Sequence, residues 1–430
     1  MGAAKGDAVT GISARSSSSR AALRGGGRLV GFGLSVALLA ASSLLLIPAM
    51  VEAGGQRAWG SIAVGQSIGA VAAVLIYFGW GHTGPAMIAR ADADAGRREF
   101  ADSMRTRLVL FVPIAAVASA LAAAVSPSQP LLAAAGCLSA AAVGFTADWY
   151  FVGSRRPFAL LLLETIPRVL GSVIGIVLLV NGAAVILGPL CMLGGMLTGA
   201  AATSWWVLRG RRAGGARQRS VRQTLVDQRH GVGSGVGTAA YAALPLVLIS
   251  LLTPGIQPSY ALVDKVQRQL SVALGPVVSV VQGYVPRQDP SITVQRARRA
   301  LLAGAGFSLL LAGAVLLVAP SLLVWLGAGQ VQPPYAVMVM MSVFVGLNVW
   351  ESILARAVLA SFDRLDAVAR GTVISGLIGL PLVAVGALGF GLIGAFGGLL
   401  AGLAARAVYE LIIAAAHARR TLQSSEQKGS

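Results

Sequence analysis

The chain has 430 residues, of which 56% are hydrophobic and 12% charged, and its formal net charge is +18. A soluble globular domain carries about 25% charged residues, so this composition excludes an ordinary soluble protein. The positive charge by itself could indicate nucleic-acid binding. However, the arginine clusters flank long apolar stretches, where they indicate membrane topology and contact with anionic lipid headgroups. No nucleic-acid partner is therefore expected.

Few residue types are available for catalysis or metal binding. Cys137 and Cys191 both lie within apolar stretches, and two such cysteines define neither a disulfide framework nor a metal site. The histidines His82, His230 and His417 all lie outside the predicted spans, which leaves no imidazole at membrane depth. We therefore expect no enzyme activity, no metal and no cofactor.

The chain begins with a Gly-, Ala-, Ser- and Arg-rich segment, residues 1–28, which has little to bury and is predicted to be a disordered basic cytoplasmic tail. Twelve apolar stretches follow, each long enough to cross a hydrocarbon core about 30 Å thick. The predicted spans are 29–51, 58–80, 106–125, 130–152, 158–180, 183–208, 234–253, 260–285, 300–326, 335–360, 372–388 and 391–416.

The loops predict the orientation and the division of the chain. Most of the Lys and Arg residues fall in the two tails and in every second connection, a distribution typical of the cytoplasmic side. Both termini are therefore predicted to be cytoplasmic in a multi-pass protein of the cell membrane. A basic cytoplasmic linker, residues 209–233, separates an N-terminal six-helix bundle (29–208) from a C-terminal one (234–416). A second tail, 417–430, follows.

Weak internal similarity supports this division. Gly55, Trp59 and Gln66 precede and enter span two, and similar residues recur at a nearly constant offset at the start of span eight, namely Gly255, Tyr260 and Gln267. A parallel repeat of six plus six spans is typical of transporters. The outer loops are short, which leaves little room for an enzyme site outside the membrane.

Ionisable side chains at bilayer depth are costly and usually functional. Those within the predicted spans are Glu164 and Arg168, Asp264, Lys265 and Arg268, Glu351 and Arg356, and Arg406 and Glu410. In spans five, eight and twelve, an acid and an arginine are four residues apart, which places them on one helix face. Small residues continue these stripes at similar spacing, so the stripes are expected to face other helices or an internal cavity.

Two interpretations of these charges follow. In the first, each acid–arginine pair neutralises itself and holds two helices together. In the second, the basic residues line a chamber and bind an anionic group, because a planar guanidinium offers several donors to phosphate. The predicted chamber residues are Arg168, Arg268, Lys265, Arg406 and Arg356. The acids Glu164, Asp264, Glu351 and Glu410 are then candidates for ion coupling or for pairing.

Prolines and one interfacial segment are further candidates. Pro167, Pro245 and Pro276 each remove a backbone hydrogen bond within a span, which is typical both of gating helices and of ordinary kinks. The segment DWYFVGSRRP, residues 148–157, suits an interfacial aromatic belt beside lipid phosphates. Its alternative role is a cytoplasmic entrance for a lipid-linked substrate, formed by Asp148, Trp149, Arg155 and Arg156.

These motifs together resemble those of the polysaccharide (O-antigen-type) flippases of the multidrug/oligosaccharidyl-lipid/polysaccharide exporter superfamily. The resemblance rests on GQSIGAVAAVLIYFGW in span two, the DWYFVG…RP turn, ETIPRVLG in span five and YALVDKVQRQL in span eight. It covers residues 29–416. It implies an all-α polytopic membrane protein with about twelve transmembrane helices. These would form two six-helix bundles related by pseudo-two-fold symmetry around a V-shaped central cavity.

The resemblance also implies a substrate. The flippases move an oligosaccharide linked to a polyprenyl diphosphate from the inner to the outer leaflet, with membrane lipid and polysaccharide polymerase or chain-length proteins as candidate partners. The alternative within the superfamily is an ion-coupled multidrug exporter. That branch typically has an acid in its first span, whereas residues 30–50 contain neither Asp nor Glu.

Overall fold

The computed structural model describes the backbone of residues 7–209, 219–228 and 232–429, and the side chains of residues 31–209, 219–228 and 235–423. These residues are almost entirely helical, and no strand occurs among them. The backbone of the predicted tail 1–28 is helical from Asp7 onward, while its side chains lie outside the described ones. Side chains in parts of the linker and of the second tail also lie outside them, so the division into tails and linker stays a prediction.

The N-terminal half contains eight described helices. They are α1 (Asp7–Tyr77), α2 (Trp80–Arg90), α3 (Ala93–Val125), α4 (Pro130–Ala141), α5 (Asp148–Gly153), α6 (Pro157–Leu160), α7 (Ile166–Val180) and α8 (Leu187–Leu208). A 3-10 turn, Ala142–Phe145, connects α4 to the segment before α5. A π-type turn, Leu161–Thr165, connects α6 to α7 without a break, so that both belong to one span.

The linker and the C-terminal half follow. Their described helices are α9 (Val221–Gln228), α10 (Val232–Leu252), α11 (Gln257–Ala273), α12 (Gly275–Tyr284), α13 (Pro290–Leu326), α14 (Tyr335–Ile353) and α15 (Leu365–Gly429). A 3-10 turn, Pro254–Ile256, joins α10 to α11. A second π-type turn, Leu354–Leu359, extends α14 and is followed by a 3-10 turn, Ala360–Phe362.

The helices account for the twelve predicted spans. In the part of the chain that the structure describes, nine helices are long and apolar enough to cross a membrane. Two of them contain two spans each, because Gly55 in α1 (φ 77°) and Gly391 in α15 (φ 58°) adopt a backbone conformation that side-chain-bearing residues avoid. Helices α11 and α12 together supply the twelfth span, in which three charged residues lower the hydropathy.

Several helices begin earlier than the apolar pattern predicts. Helix α3 begins at Ala93, because the side chain of Asp92 accepts a hydrogen bond from the backbone N–H of Ala95 at 2.7 Å. Asp289 caps α13 in the same manner through the N–H of Ser291 at 2.8 Å. Polar helix turns outside the membrane carry no hydropathy signal, so only these caps mark where the helices begin.

The connections lie at two opposite ends of the helices, as the alternation of charge predicts. At one end, here called the short-loop end, Ser126 donates a hydrogen bond to Ser61 at 2.8 Å. At the other, the basic-loop end, residues from three predicted cytoplasmic connections line one pocket, among them Asp92, Arg155 and Arg209. The arrangement agrees with an even number of crossings. Which end is cytoplasmic remains a prediction from the charges.

The two halves pack directly against each other through α1, α10 and α11. The side-chain amide of Gln257 donates to the backbone carbonyl of Gly60 at 2.8 Å, and Ser250 donates to the carbonyl of Val125 at 3.3 Å. One hydrophobic core continues across this contact and includes Trp59 and Tyr260, both fully buried. The halves are therefore joined most firmly toward the short-loop end.

The linker helix α9 is docked on the N-terminal half. The guanidinium of Arg219 contacts Glu99, Asp102 at 3.1 Å and Asp227 at 3.5 Å. Because Glu99 and Asp102 belong to α3, this arginine ties the second part of the linker to the first bundle. The described part of the linker, residues 219–228, is thus not a free hinge.

We expect Arg219→Ala to release α9 from α3. Loss of these charge-assisted contacts should accelerate amide hydrogen exchange in residues 221–228 by roughly tenfold. Hydrogen-exchange mass spectrometry of the detergent-purified protein measures this rate. Arg222→Ala is the matched control, since Arg222 is an exposed arginine of the same helix. Equal exchange in both variants would show that Arg219 does not hold the linker.

Candidate substrate cavity and buried ion pairs

A cavity of about 450 Å³ lies between the two halves. It is lined by α1, α4, α7 and α8 of the N-terminal half and by α11 of the C-terminal half. Its polar lining residues are Ser42, Ser43, Gln66, Ser139, Arg168, Ser172, Lys265 and Gln269. No Asp or Glu occurs among the described lining residues, so the charge of this surface is positive.

Arg168 lies in α7 and lines this cavity without an ion pair. Among the described residues, no carboxylate oxygen lies within 4.0 Å of its guanidinium. Glu164 points elsewhere and accepts a hydrogen bond from the backbone N–H of Ala147 at 2.6 Å. The cause is the π-type turn Leu161–Thr165, whose extra residue rotates Glu164 out of the alignment that an α-helix would give. The predicted Glu164–Arg168 pair is therefore not formed.

Lys265 lies in α11 and contributes the second cation of the cavity. Its ammonium donates a hydrogen bond to the side-chain carbonyl of Gln66 at 2.7 Å and lies 6.0 Å from the centre of the Trp59 ring. Both contacts cross from one half to the other. They hold the ammonium in place without neutralising it, because an amide and an aromatic ring carry no net charge.

The neighbouring Asp264 and Arg268 form the predicted pair, with 2.8 Å between the carboxylate and Nε. Arg268 also donates to the backbone carbonyl of Ala242 in α10. Arg268 is not among the residues that line the cavity. In this span the neutralising interpretation describes Arg268. Lys265 follows Asp264 directly in the chain, about 100° further round the helix, and its side chain reaches the cavity.

A second buried cluster, here called the acid triad, lies within the C-terminal half. Arg406 of α15 contacts Glu410 of the same helix at 2.8 Å and Glu351 of α14 at 2.6 Å. Both carboxylates are almost fully buried, at 3% exposure or less. One oxygen of Glu410, Oε2, has no hydrogen-bond partner among the described residues. Two acids therefore share one arginine.

Arg356, another of the predicted cavity cations, does not line the cavity that contains Arg168. It lies on the π-type turn that extends α14, and its side chain is exposed. Arg406 is held by its two carboxylates. Of the five predicted basic residues, the structure thus brings Arg168 and Lys265 to one cavity and places Arg268, Arg356 and Arg406 outside its lining.

A further buried cation, Arg107 of α3, was not predicted. It is 0% exposed, donates to the carbonyl of Thr146 at 2.7 Å and lies 4.5 Å from the centre of the Tyr77 ring. The hydroxyl of Tyr77 in turn donates to Asp148 at 2.5 Å. Arg107 is only the second residue of the predicted span 106–125, a position that normally indicates a side chain reaching water rather than a buried one.

The entrance candidates divide into buried and exposed residues. Trp149 is 1% exposed and packs against Trp80, with 5.1 Å between ring centres, so its side chain faces protein. Its role at an entrance stays a prediction. Asp148, Arg155 and Arg156 are exposed at the basic-loop end. The two arginines line the pocket that includes Asp92.

The prolines differ in their effect on the backbone. Pro167 is the second residue of α7, one residue after the π-type turn Leu161–Thr165, and its missing N–H fits the wider turn before it. Pro276 lies at the start of α12, just after α11 ends at Ala273. Pro245 lies inside α10 without ending it. A gating role for the three stays a prediction.

Glycine stripes place two of the three charged helices, α7 and α15, against their neighbours, whereas Gly275 in the stripe of span eight has no neighbour within 4 Å of an added methyl group. In α7, a methyl group added at Gly171 would meet the carbonyl oxygen of Cys191 in α8 at 2.5 Å. In α15, Gly402 packs against Gly379 and Gly394 against Gly386. Such contacts require glycine, and they turn the charged faces of these helices toward protein rather than toward lipid.

Comparison with known proteins identifies the fold. No protein-family model and no curated protein matches the chain. Among solved structures, it is similar to the inward-facing conformation of a multidrug resistance MATE family transporter of the MOP superfamily, with a TM-score of 0.68. The two are 13% identical, and the match covers 89% of this chain and 96% of that one.

A eukaryotic MATE transporter, AtDTX14, is also similar, with a TM-score of 0.50 and 14% identity over 92% of this chain and 97% of that one. At such identities the likeness shows the fold alone. The all-α fold with two six-helix bundles, predicted from the sequence, is therefore confirmed as the fold of MATE transporters. The narrower resemblance to the polysaccharide flippases is not confirmed by these matches.

We expect Arg406→Ala to destabilise the protein strongly. The change would leave Glu351 and Glu410 buried together without a counter-charge, and loss of one partner of a buried ion pair costs about 3–5 kcal/mol. Thermal unfolding in detergent measures the effect. Arg406→Ala combined with Glu351→Gln should recover part of the loss. Unchanged thermal stability of Arg406→Ala would show that the triad does not support the fold.

Proposed function

We propose that this protein is a membrane transporter that moves an anionic, amphipathic substrate through the cavity between its halves by alternating access. The observation that carries the proposal is the pair of cations, Arg168 and Lys265, which come from opposite halves and face one cavity without a described carboxylate in its lining. A cationic substrate would be repelled there. A phosphate group would interact favourably with both side chains.

The particular substrate we propose is an oligosaccharide linked to a polyprenyl diphosphate, as the sequence resemblance implies. Its diphosphate would bind between Arg168 and Lys265, its sugars would contact the serine and glutamine side chains of the cavity, and its tail would stay in lipid. A cavity of about 450 Å³ is within the range of about 300–1,000 Å³ that suits drug-sized ligands. An oligosaccharide would therefore require the halves to move apart.

The multidrug exporter is the second candidate, and the fold comparison favours it over the flippase. The similar solved structure with a TM-score of 0.68 is described as a multidrug resistance transporter. The cavity volume also suits a drug-sized molecule, and Met192 and Met196 provide adaptable apolar contacts. The positive cavity then restricts this candidate to anionic or zwitterionic compounds.

The mechanism follows from where the two cations are attached. Because Arg168 and Lys265 belong to different halves, movement of one half against the other changes their separation and hence the affinity for a diphosphate. We propose that the substrate approaches from the basic-loop end past Arg155 and Arg156. By the charge distribution this end is cytoplasmic, which places both termini in the cytoplasm.

Ion coupling would use the buried carboxylates. Glu351 and Glu410 are the strongest candidates, because a proton or a sodium ion would balance the second acid beside Arg406. Glu164 and Asp264 are the remaining candidates. Asp264 is already neutralised by Arg268 at 2.8 Å, which makes it the weaker of the two.

Single replacement of Arg168 or Lys265 by Ala tests the proposal. Loss of one charged hydrogen bond to phosphate is worth about 1.5–3 kcal/mol, so transport should fall by roughly ten- to a hundredfold. The measurement is transbilayer movement in proteoliposomes, with three substrates assayed in parallel: a polyprenyl-diphosphate oligosaccharide, an anionic dye and a cationic dye.

Arg299→Ala is the control, since Arg299 is exposed and is not among the described residues that line the cavity. Arg168→Lys should retain more transport than Arg168→Ala because it keeps the charge. Movement of the anionic dye, without movement of the polyprenyl-diphosphate oligosaccharide, would favour the exporter over the flippase. Equal transport of any substrate by wild type and both Ala variants would remove the cavity cations from the mechanism.

A further inference from the structure

A second pocket, here called the arginine pocket, lies at the basic-loop end and has a volume of about 570 Å³. Its described lining comes from the end of α2, the start of α3, the turn between α5 and α6, the end of α8 and Arg209 at the start of the linker. Its lining shares no residue with the central cavity. A ligand bound here therefore need not enter the transport path.

The lining of the arginine pocket is strongly basic. Four arginines contribute to it, namely Arg97, Arg155, Arg156 and Arg209. Its single described acid is Asp92, one oxygen of which is already occupied by the cap on α3. Arg97 lies 4.0 Å from Asp94, whereas the other three arginines form no ion pair with any described residue. The pocket thus has unbalanced positive charge.

Two of these arginines are held in place by tryptophan rings. The guanidinium of Arg156 lies 5.2 Å from the centre of the Trp206 ring. That of Arg209 lies 5.1 Å from the Trp205 ring and 5.9 Å from the Trp206 ring. Cation–π contacts of this kind hold the side chains over the pocket, so that less conformational entropy is lost when an anion binds.

The backbone of Arg155 is the third observation. Helix α5 ends in a Schellman motif, in which the N–H of Arg156 bonds to the carbonyl of Phe151 and the N–H of Arg155 to that of Val152. Arg155 occupies the left-handed position of this motif, with φ 57°. Glycine is usual there because a side chain is strained in this conformation. The chain thus keeps a charged side chain at a strained position that lines the pocket.

The surroundings of the pocket indicate which anion it meets. Trp205 and Phe158, close to Arg209 and Arg156 in the chain, are 65% and 58% exposed. Exposed aromatic rings next to arginines, at the ends of membrane helices, are typical of the level of the lipid headgroups. A soluble anion would not require this apolar rim, whereas a phospholipid presents a phosphate and acyl chains together.

We propose that the arginine pocket is a binding site for the phosphate headgroup of an anionic phospholipid, held by Arg155, Arg156 and Arg209. The bound lipid acts as a structural ligand of the N-terminal half. Its acyl chains lie along the lipid-facing side of α6 and α8. This lipid site is distinct from the proposed substrate site in the central cavity, because the two pockets share no described lining residue. A substrate that enters past Arg155 and Arg156 would meet the bound lipid before it reaches the cavity.

Native mass spectrometry of the full-length protein in detergent tests the proposal, with phosphatidylglycerol as the anionic probe and phosphatidylethanolamine as the neutral one. Wild type should retain phosphatidylglycerol in preference to phosphatidylethanolamine. The triple variant Arg155→Ala, Arg156→Ala, Arg209→Ala should lose at least tenfold in phosphatidylglycerol retention. Arg105→Ala, a change at an exposed arginine of α3 that does not line the pocket, should bind as wild type does.

Arg155→Gly separates lipid binding from folding. It removes the side chain and also relieves the left-handed strain, so the variant should unfold at a higher temperature in lipid-free detergent and yet retain less phosphatidylglycerol. Equal retention by wild type and both pocket variants would overturn the proposal. A second result would also overturn it: wild type retains an added polyprenyl diphosphate but not phosphatidylglycerol, and this retention is lost in the arginine variants. The pocket would then be the substrate entrance.

Discussion

A charged group at bilayer depth is tolerated where a counter-charge, a polar partner or water replaces its hydration. Without such a partner, the buried charge destabilises the protein by several kcal/mol. Five of the basic residues within the predicted spans meet this requirement in different ways. Arg268 and Arg406 contact carboxylates, Arg107 contacts a carbonyl and an aromatic ring, and Arg168 and Lys265 face the cavity. The type of partner therefore distinguishes basic residues that hold helices together from basic residues that can contact a substrate.

The contacts within each half differ in kind from the contacts between the halves. The polar contact between Lys265 and Gln66 crosses from one half to the other, as do the contacts of Gln257 and Ser250 toward the short-loop end. These are few and mostly uncharged, whereas the acid triad and the Asp264–Arg268 pair lie within the C-terminal half. Strong ionic contacts thus stabilise the interior of a half, and weaker ones join the halves. Such a division suits two bundles that move against each other.

The number of spans was predictable because hydropathy over about twenty residues is a local property. Gly55 and Gly391 end spans inside long helices, and the apolar stretches on either side of them are visible in the sequence. Side-chain pairing was less predictable. The spacing of four residues is the same at Glu164–Arg168 and at Arg406–Glu410, yet only the second pair forms, because a π-type turn rotates Glu164 away from Arg168. Arg107 and the burial of Trp149 were missed because both depend on neighbours distant in the chain.

The amino-acid sequence by itself determined the membrane class, the twelve spans, the alternation of loops and the set of costly charges, since each of these follows from composition along a short stretch. The tertiary structure alone decided which of those charges are neutralised, which face a cavity and which loops meet to form the arginine pocket. The physical reason is that the energy of a charge in a low-dielectric medium depends on groups within a few ångströms. Those groups are brought there by the packing of helices from distant parts of the chain.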